Sequence, residues 1–329
     1  MSAVKWKESD HYRDGRFFNP GVALHSFRDI VKWMRHRDPG PWRPFVAGQP
    51  GPEPPERVDD GALRVTFVNH ATLLLQVDGV NLLTDPVWSE RASPVQWMGP
   101  RRHRAPGIRF ADLPPIDAVL LTHNHYDHLD TGTLRRLAKR GTKTIFCPLG
   151  NGRMLRCLGF REIHEMDWWE SVEWRGLTVH AMPAQHFAAR TPFDRNKTLW
   201  CGWMVEAASG KIYLAGDTGF GPHFAEIASR FPVLRLALLP IGAYRPEWFM
   251  GPIHMSPEEA VAAHRMLGAE RSVAMHFGTF PLADDGETEP VERLQALLGQ
   301  SEDRERFWVL REGEGRDVPE LACEACSGG

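Results

Sequence analysis

The sequence has no long apolar run, no dominant sign of charge and no cysteine framework, and each absence removes a class of protein. No uncharged stretch approaches the ~20 residues that a helix needs to cross a bilayer. The opening residues, MSAVKWKESDHYRDGRFF, are charged and lack the apolar centre of a secretory signal. A formal charge of −3 over 329 residues gives no general pull toward nucleic acid, so no such partner is expected. The five cysteines are an odd number, and Cys147, Cys157 and Cys201 fall inside predicted strands or helices. Reduced thiols in a cytoplasmic protein are the economical expectation. Cys323 and Cys326 form a C-x-x-C with no second pair at zinc-ribbon spacing, an incidental arrangement. Internal repeats are absent, and the one biased tract is rich in proline.

What is present is an ordinary globular composition, 42% apolar and 25% charged, long enough to bury a substantial core. Residues 1–25 read as an irregular polar arm. Ser26 then caps a predicted helix with Phe27, Ile30, Val31 and Met34 on one face and Lys32, Arg35 and Arg37 on the other. A surface helix packed on the body is the plain reading; a helix lying on a membrane surface is the sharper one. A non-helical, Pro-rich linker runs from Pro39 to Pro55. These parts make an N-terminal region of residues 1–60, followed by a body of residues 61–312 and a flexible tail of residues 313–329.

In the body, LRVTFVNHATLLLQVDGVNLLTDP carries Asp78-Gly79 at its centre, a strong hairpin signal. Arg175-Gly176 and Ser209-Gly210 predict two further hairpins. Strands are expected at Ala118–Thr122, Thr144–Cys147, Leu177–Met182, Leu199–Val205, Ile212–Ala215, Leu236–Pro240 and Val273–His276. Helical patterns cover Leu134–Lys139, Asn151–Leu158, Phe224–Arg230, Pro257–Leu267 and Val291–Leu298, the fourth with Ser256 as cap and Gly268 as stop. A β-rich first half followed by strand–helix alternation is an α/β pattern with mixed sheets.

The stretch LLTHNHYDHLD, residues 120–130, holds the densest chemistry. His123, His125, Asp127 and His128 supply more ligand-grade groups than one ion requires. Two ions ~3.5–4 Å apart can share a water and clamp the oxygens of a displacement. The remaining ligands should leave other strands, where His186, Asp217 and His276 stand. Asp217 follows the apolar run IYLAG, where an isolated carboxylate is costly unless cations meet it, so it is the natural shared ligand. A lone histidine at a strand end is usually structural; the joint pattern points to a metal site.

That order of residues resembles the metallo-β-lactamase superfamily, whose H-x-H-x-D-H hallmark the stretch reproduces. The resemblance implies a four-layer αβ/βα sandwich with mixed β-sheets and metals at one edge of the sheets. It assigns His123, His125 and His186 to one ion, Asp127, His128 and His276 to the other, and Asp217 to both. Asp85 matches the early aspartate that orients a ligand histidine. Two Zn2+ per chain are implied, and the ligand types leave iron and manganese open.

Longer segments resemble the N-acyl-phosphatidylethanolamine-hydrolysing phospholipase D family, in a bacterial-type member. They are Asp14–Pro20, Leu83–Arg104, Pro183–Trp203, AGDTGF, GAYRPEWFM and IHMSPEEAV, which together span roughly residues 14 to 300. The implied reaction is hydrolysis of the phosphodiester to an N-acylethanolamine and phosphatidic acid, with a water shared by the ions attacking in line. Asp127, Asp217 and His254 are then the catalytic candidates, and Tyr126 and His254 the substrate contacts, although Tyr126 equally fits a packing role.

Asn69-His70 and Ile253-His254 depart from the family's Gly-His and Gln-His, and the second removes a polar neighbour from the pocket wall. A phospholipid met at a membrane surface is the implied partner, through Trp33, Trp42, Trp88, Trp97, Trp248 and the basic helix face. Peripheral attachment to the inner membrane face would accompany it, and a homodimer is common in the family. The alternative is a soluble metallo-hydrolase of another small ester, lactone or phosphodiester. The interval from Asp217 to His276 is too short for the inserted domain of the superfamily's nucleases.

Overall fold

Apolar alternation from Leu63 onward forms a meander because two tight turns reverse it. In the computed structural model, which describes residues 6–22, 25–299 and 301–321, Asp78 and Gly79 both have positive φ, at 46° and 75°. This is the turn geometry that matches strand twist. The first elements among the described residues are a short hairpin, β1 (Tyr12–Arg13) and β2 (Arg16–Phe17), and then α1 (Phe27–Arg35). Ser26 caps α1 as expected, its hydroxyl accepting from Asp29 N while Asp29 accepts from Ser26 N. The meander is β3 (Leu63–Asn69), β4 (Thr72–Val77) and β5 (Val80–Thr84).

Strand and helix then alternate: β6 (Ala118–Leu120), α2 (Thr131–Arg140), β7 (Thr144–Pro148), α3 (Gly152–Leu158) and β8 (Glu162–Met166). A second meander contains β9 (Ser171–Trp174), β10 (Leu177–Met182), β11 (Gly202–Ala207) and β12 (Gly210–Leu214). It continues through α4 (His223–Arg230), β13 (Leu234–Pro240), α5 (Glu247–Met250), α6 (Pro257–Leu267), β14 (Ala269–Met275) and α7 (Glu289–Leu298). The last strands are β15 (Phe307–Trp308) and β16 (Gly315–Asp317). Short α5 and the edge strands β8, β15 and β16 lacked a readable period.

Two seven-stranded mixed sheets result, ordered β16-β3-β4-β5-β6-β7-β8 and β15-β14-β13-β12-β11-β10-β9, the C-terminal β16 joining the sheet of the first half. One core lies between the sheets, with Phe67, Leu75 and Leu120 meeting Trp203, Leu214 and Leu236. Another sits under α2 and α3, and a third under α4, α6 and α7. The result is the αβ/βα sandwich. Among the described residues no helix is long and apolar enough to cross a membrane.

One expectation needs correction. The segment from residue 313 is not a free tail: β16 pairs with β3, and Val318 is buried, its N–H donating to Leu63 O at 2.8 Å. An edge strand needs few residues, so no periodicity announced it. Cys323 and Cys326 lie outside the described residues. The stretch from Pro39 to Pro55 is non-helical as expected, and residues 36–56 form a strap seated on the body. Arg37 and Trp33 bond Asp284, Trp42 Nε1 donates to Asp285 O, and Arg43 grips Glu287 with two bonds of 2.9 Å. Gly51 and Gly107 both press on Gly313, where an added Cβ would lie 2.2 Å from Gly313 O and 1.9 Å from Gly313 N, respectively.

Candidate metal centre

All the expected ligands leave the ends of strands on one edge of the sandwich. His123 to His128 follow β6, His186 follows β10, Asp217 follows β12 and His276 follows β14. Gly216 lets the Asp217 loop close on β6, since a Cβ there would come within 2.9 Å of Thr122 Cγ2.

Hydrogen bonds around the histidines decide which nitrogen is free. His128 Nδ1 donates to Asp85 Oδ2 at 2.8 Å, His186 Nδ1 donates to Ile253 O at 2.9 Å, and His123 Nδ1 meets Thr122 Oγ1 at 3.0 Å. Each leaves its Nε2 lone pair aimed inward. Asp85 is itself fixed by Thr122, whose N and Oγ1 donate to its two oxygens at 2.8 and 2.6 Å. The expected orienting role of Asp85 thus has its hydrogen bond.

Two groups of donors result. His123 Nε2, His125 Nδ1 and His186 Nε2 form one, with separations of 2.9 and 3.3 Å from the His125 nitrogen. Asp127 Oδ2, His128 Nε2 and His276 Nε2 form the other, with the carboxylate oxygen 3.3 and 3.4 Å from the two nitrogens. Asp217 Oδ2 stands between, 3.0 Å from His276, 3.2 Å from His128, 3.8 Å from His186 and 3.9 Å from His123. A tetrahedron built on zinc–nitrogen bonds has edges of about 3.3 Å, so these spacings suit cations. His128 Nε2, His276 Nε2 and Asp217 Oδ1 are buried without a hydrogen-bond partner, and coordination would satisfy them.

The electrostatics divide the two donor groups: burial opposes charge on His128 and His276, but Asp217 and Asp127 outweigh it and raise both, His276 to about 9. Burial lowers His123, His186 and His125, the last to about 4, which keeps these imidazoles neutral and able to coordinate. Burial opposes charge on Asp127 and Asp217 too, but the surrounding histidines, His128 first, hold both well below the usual carboxylate range. Both carboxylates are therefore available as anions.

Sequence reasoning missed His70. It occupies the turn between β3 and β4 with φ 48°, and its Nε2 lies 3.0 Å from Asp127 Oδ2. Its carbonyl accepts from His276 N at 2.8 Å. A lone histidine in a hairpin turn has no periodic signature; its place in Asn69-His70, opposite the family's Gly-His, was the only signal.

His254 belongs to the site: its Nδ1 is 4.0 Å from Asp217 Oδ2, and it lines a cavity of about 340 Å³ beside the donors. Tyr126 does not line that cavity. Its hydroxyl donates to Arg190 O at 2.7 Å and the Arg190 guanidinium covers its ring, so it packs. Of the five tryptophans named for a surface role, Trp97 and Trp248 are exposed, whereas Trp33, Trp42 and Trp88 are half-buried with their N–H groups bonded.

Comparison with known proteins agrees with this geometry. Residues 80–277 match the model of a beta-lactamase superfamily domain. An uncharacterized protein of Mycobacterium tuberculosis is 40% identical over 303 residues, which cover 88% of this chain and 80% of that one. A Caenorhabditis elegans protein named N-acyl-phosphatidylethanolamine-hydrolyzing phospholipase D 1 is 36% identical over 256 residues, 74% of this chain and 72% of its own length. Among solved structures, a possible metal-dependent hydrolase from Veillonella parvula aligns with a TM-score of 0.64 at 19% identity, covering 78% of this chain and 99% of that one. That likeness concerns the fold alone.

Proposed function

The chain belongs to the metallo-β-lactamase superfamily and is a metal-dependent hydrolase, and from that premise we propose that it holds two zinc ions and cleaves N-acyl-phosphatidylethanolamine. The products would be an N-acylethanolamine and phosphatidic acid. The observation that carries this reading is the character of the cavity. Its lining joins His125, Asp127, Asp217 and His254 to the apolar Ile30, Trp33, Phe187, Phe249, Met250, Ile253 and Leu282, with His25 and Arg195 completing the wall. Such a lining suits a scissile polar group that carries long hydrocarbon chains. The 36% identical nematode relative bears the name of this activity.

When bound, the two ions supply Lewis-acid polarisation of phosphoryl oxygens and a lowered pKa for water. His123, His125 and His186 would hold one, Asp127, His128 and His276 the other, with Asp217 shared. Asp85 keeps the proton of His128 on Nδ1. His254, whose Nδ1 is buried without a hydrogen-bond partner, would hydrogen-bond an oxygen of the substrate or leaving group. A lipid substrate would be met at a membrane surface, and Met34 and Trp248, exposed on α1 and α5, support that encounter.

The test is release of N-acylethanolamine from vesicles containing N-acyl-phosphatidylethanolamine, with metal analysis of the same preparation. We expect about two zinc per chain and at least ~10³-fold loss of turnover in His123→Ala and Asp217→Ala. Turnover that survives both substitutions would sink the mechanism. Hydrolysis of water-soluble diesters with none on the vesicles would remove the lipid assignment and leave the hydrolase.

A further inference from the structure

Arg195 shares the cavity wall with His125, Asp127, Asp217 and His254. Its guanidinium is half-buried, and among the described residues it has no carboxylate and no hydrogen-bond acceptor; its one charge-related contact is the face of Phe187, 5.0 Å away. Burial lowers its pKa with no acid opposing the shift. Other arginines of the region are used up. Arg190, on the same loop, donates to Asn124 O at 2.7 Å and to Leu129 O at 2.9 Å and covers Tyr126. Asp194, the neighbouring carboxylate, is engaged by the N–H groups of Arg190 and Thr191 at 3.0 and 2.7 Å.

The Arg195 backbone, by contrast, is pinned. Its carbonyl accepts from the Arg16 guanidinium, and the next residue exchanges main-chain bonds with Ala188 and Phe17. A fixed backbone thus presents an uncompensated, partly desolvated cation to the space beside the metal donors. Such a charge is unfavourable alone and gains most from an anion that enters the same space. The guanidinium fork matches the paired oxygens of a phosphate.

We propose that Arg195 is a specificity-determining residue that binds the anionic oxygen of a phosphodiester in this cavity, so that the site selects negatively charged esters over neutral esters and lactones. This rests on the cavity being the substrate site, and it adds the sign of the substrate's charge. The apolar walls would take the hydrocarbon, the metal donors' ions the reacting centre, and Arg195 the remaining negative charge.

The proposal is tested by equilibrium binding to the metal-loaded protein, without turnover, using dibutyl phosphate as the anion and tributyl phosphate as its neutral counterpart. Calorimetry on the wild type, Arg195→Gln and Arg195→Lys is compared at equal metal content. We expect the wild type to prefer dibutyl phosphate, and Arg195→Gln to weaken it about tenfold to a hundredfold, the range for a hydrogen bond to a charged group. Tributyl phosphate should change less than about twofold, and Arg195→Lys should recover part of the loss, because it keeps the charge but not the fork. Equal losses for both ligands, no loss for the anion, or a wild type with no preference would each overturn the proposal. Absence of N-acylethanolamine release beside Arg195-dependent anion binding would remove the lipid reading and leave this one standing.

Discussion

The metal-centre loops and the strap of residues 36–56 are both irregular backbone, yet different physics fixes each. The loops are held from within by buried polar groups. Asp85 alone ties Thr122 and His128 together, and Asp130 accepts from Trp88 N, Ser89 N, Gly132 N and Thr133 Oγ1. The strap is held by close backbone approach and by the buried carboxylates Asp284 and Glu287. Gly51 N donates to Gly107 O at 2.8 Å, and Gly313 N donates to Phe67 O at 2.7 Å directly beneath. Glu287 receives both Arg43 and Arg104. A region built on directional bonds to charged groups should fail when one acceptor is lost. A region that rests also on backbone contact, as at Gly51, Gly107 and Gly313, should fail when volume is added.

Those two failure modes can be separated experimentally. Asp85→Ala removes three bonds to the site and is expected to weaken metal binding about 10–100-fold, read by metal titration. Amide exchange in residues 36–56 should stay as in the wild type, and loosening there would dissolve the distinction. Gly107→Ala should do the reverse. Its Cβ must displace the Gly313 main chain, at a cost of about 1–3 kcal/mol, seen as a lower Tm with unchanged metal content. The pair combined should be additive within about 0.5 kcal/mol if the regions are independent.

His70→Ala tests whether the hairpin turn belongs to the centre. Loss of the contact to Asp127 should weaken one of the two ions about tenfold, so that dialysis against a chelator leaves a one-metal species. Loss of both ions together would place His70 in the general scaffold. The smallest effect concerns pH. Burial raises the Glu287 carboxyl, but Arg43 and Arg104 outweigh it and hold the group down to about 2. A depressed folded value means that its stabilisation is complete above the ordinary glutamate range near 4.5 and fades as pH falls toward 2. Proteolysis of the strap should accelerate across that window in the wild type and lose this acid dependence in Glu287→Gln.

The comparison also explains what could be read in advance. His123, His125, Asp127 and His128 are dense within six positions, and their partners each end an apolar strand, so local pattern sufficed. Asp85 and His254 came from resemblance, and the structure gives them contacts with His128 and Asp217. His70 stayed hidden because its partners, Asp127 and His276, lie far along the chain and a single turn residue has no period. The docking of the strap has no sequence signature for the same reason: the glycines that receive it, Gly107 and Gly313, carry no sign of what they meet. Arg195 sits in a polar run where a charged residue looks solvated, and only the structure shows that it lines the cavity with no hydrogen-bond acceptor among the described residues.

The pairing of β16 with β3 has a consequence in time. Arg64 and Asp317, which bridge that ladder at 2.7 Å, are 253 positions apart. On a ribosome adding ~5–20 residues per second, β3 waits roughly 13–50 s for its outer neighbour. Throughout that interval an apolar strand end is open to other nascent chains. Arg64, at the second position of β3, places a cation on that edge and discourages self-association until its late partner arrives.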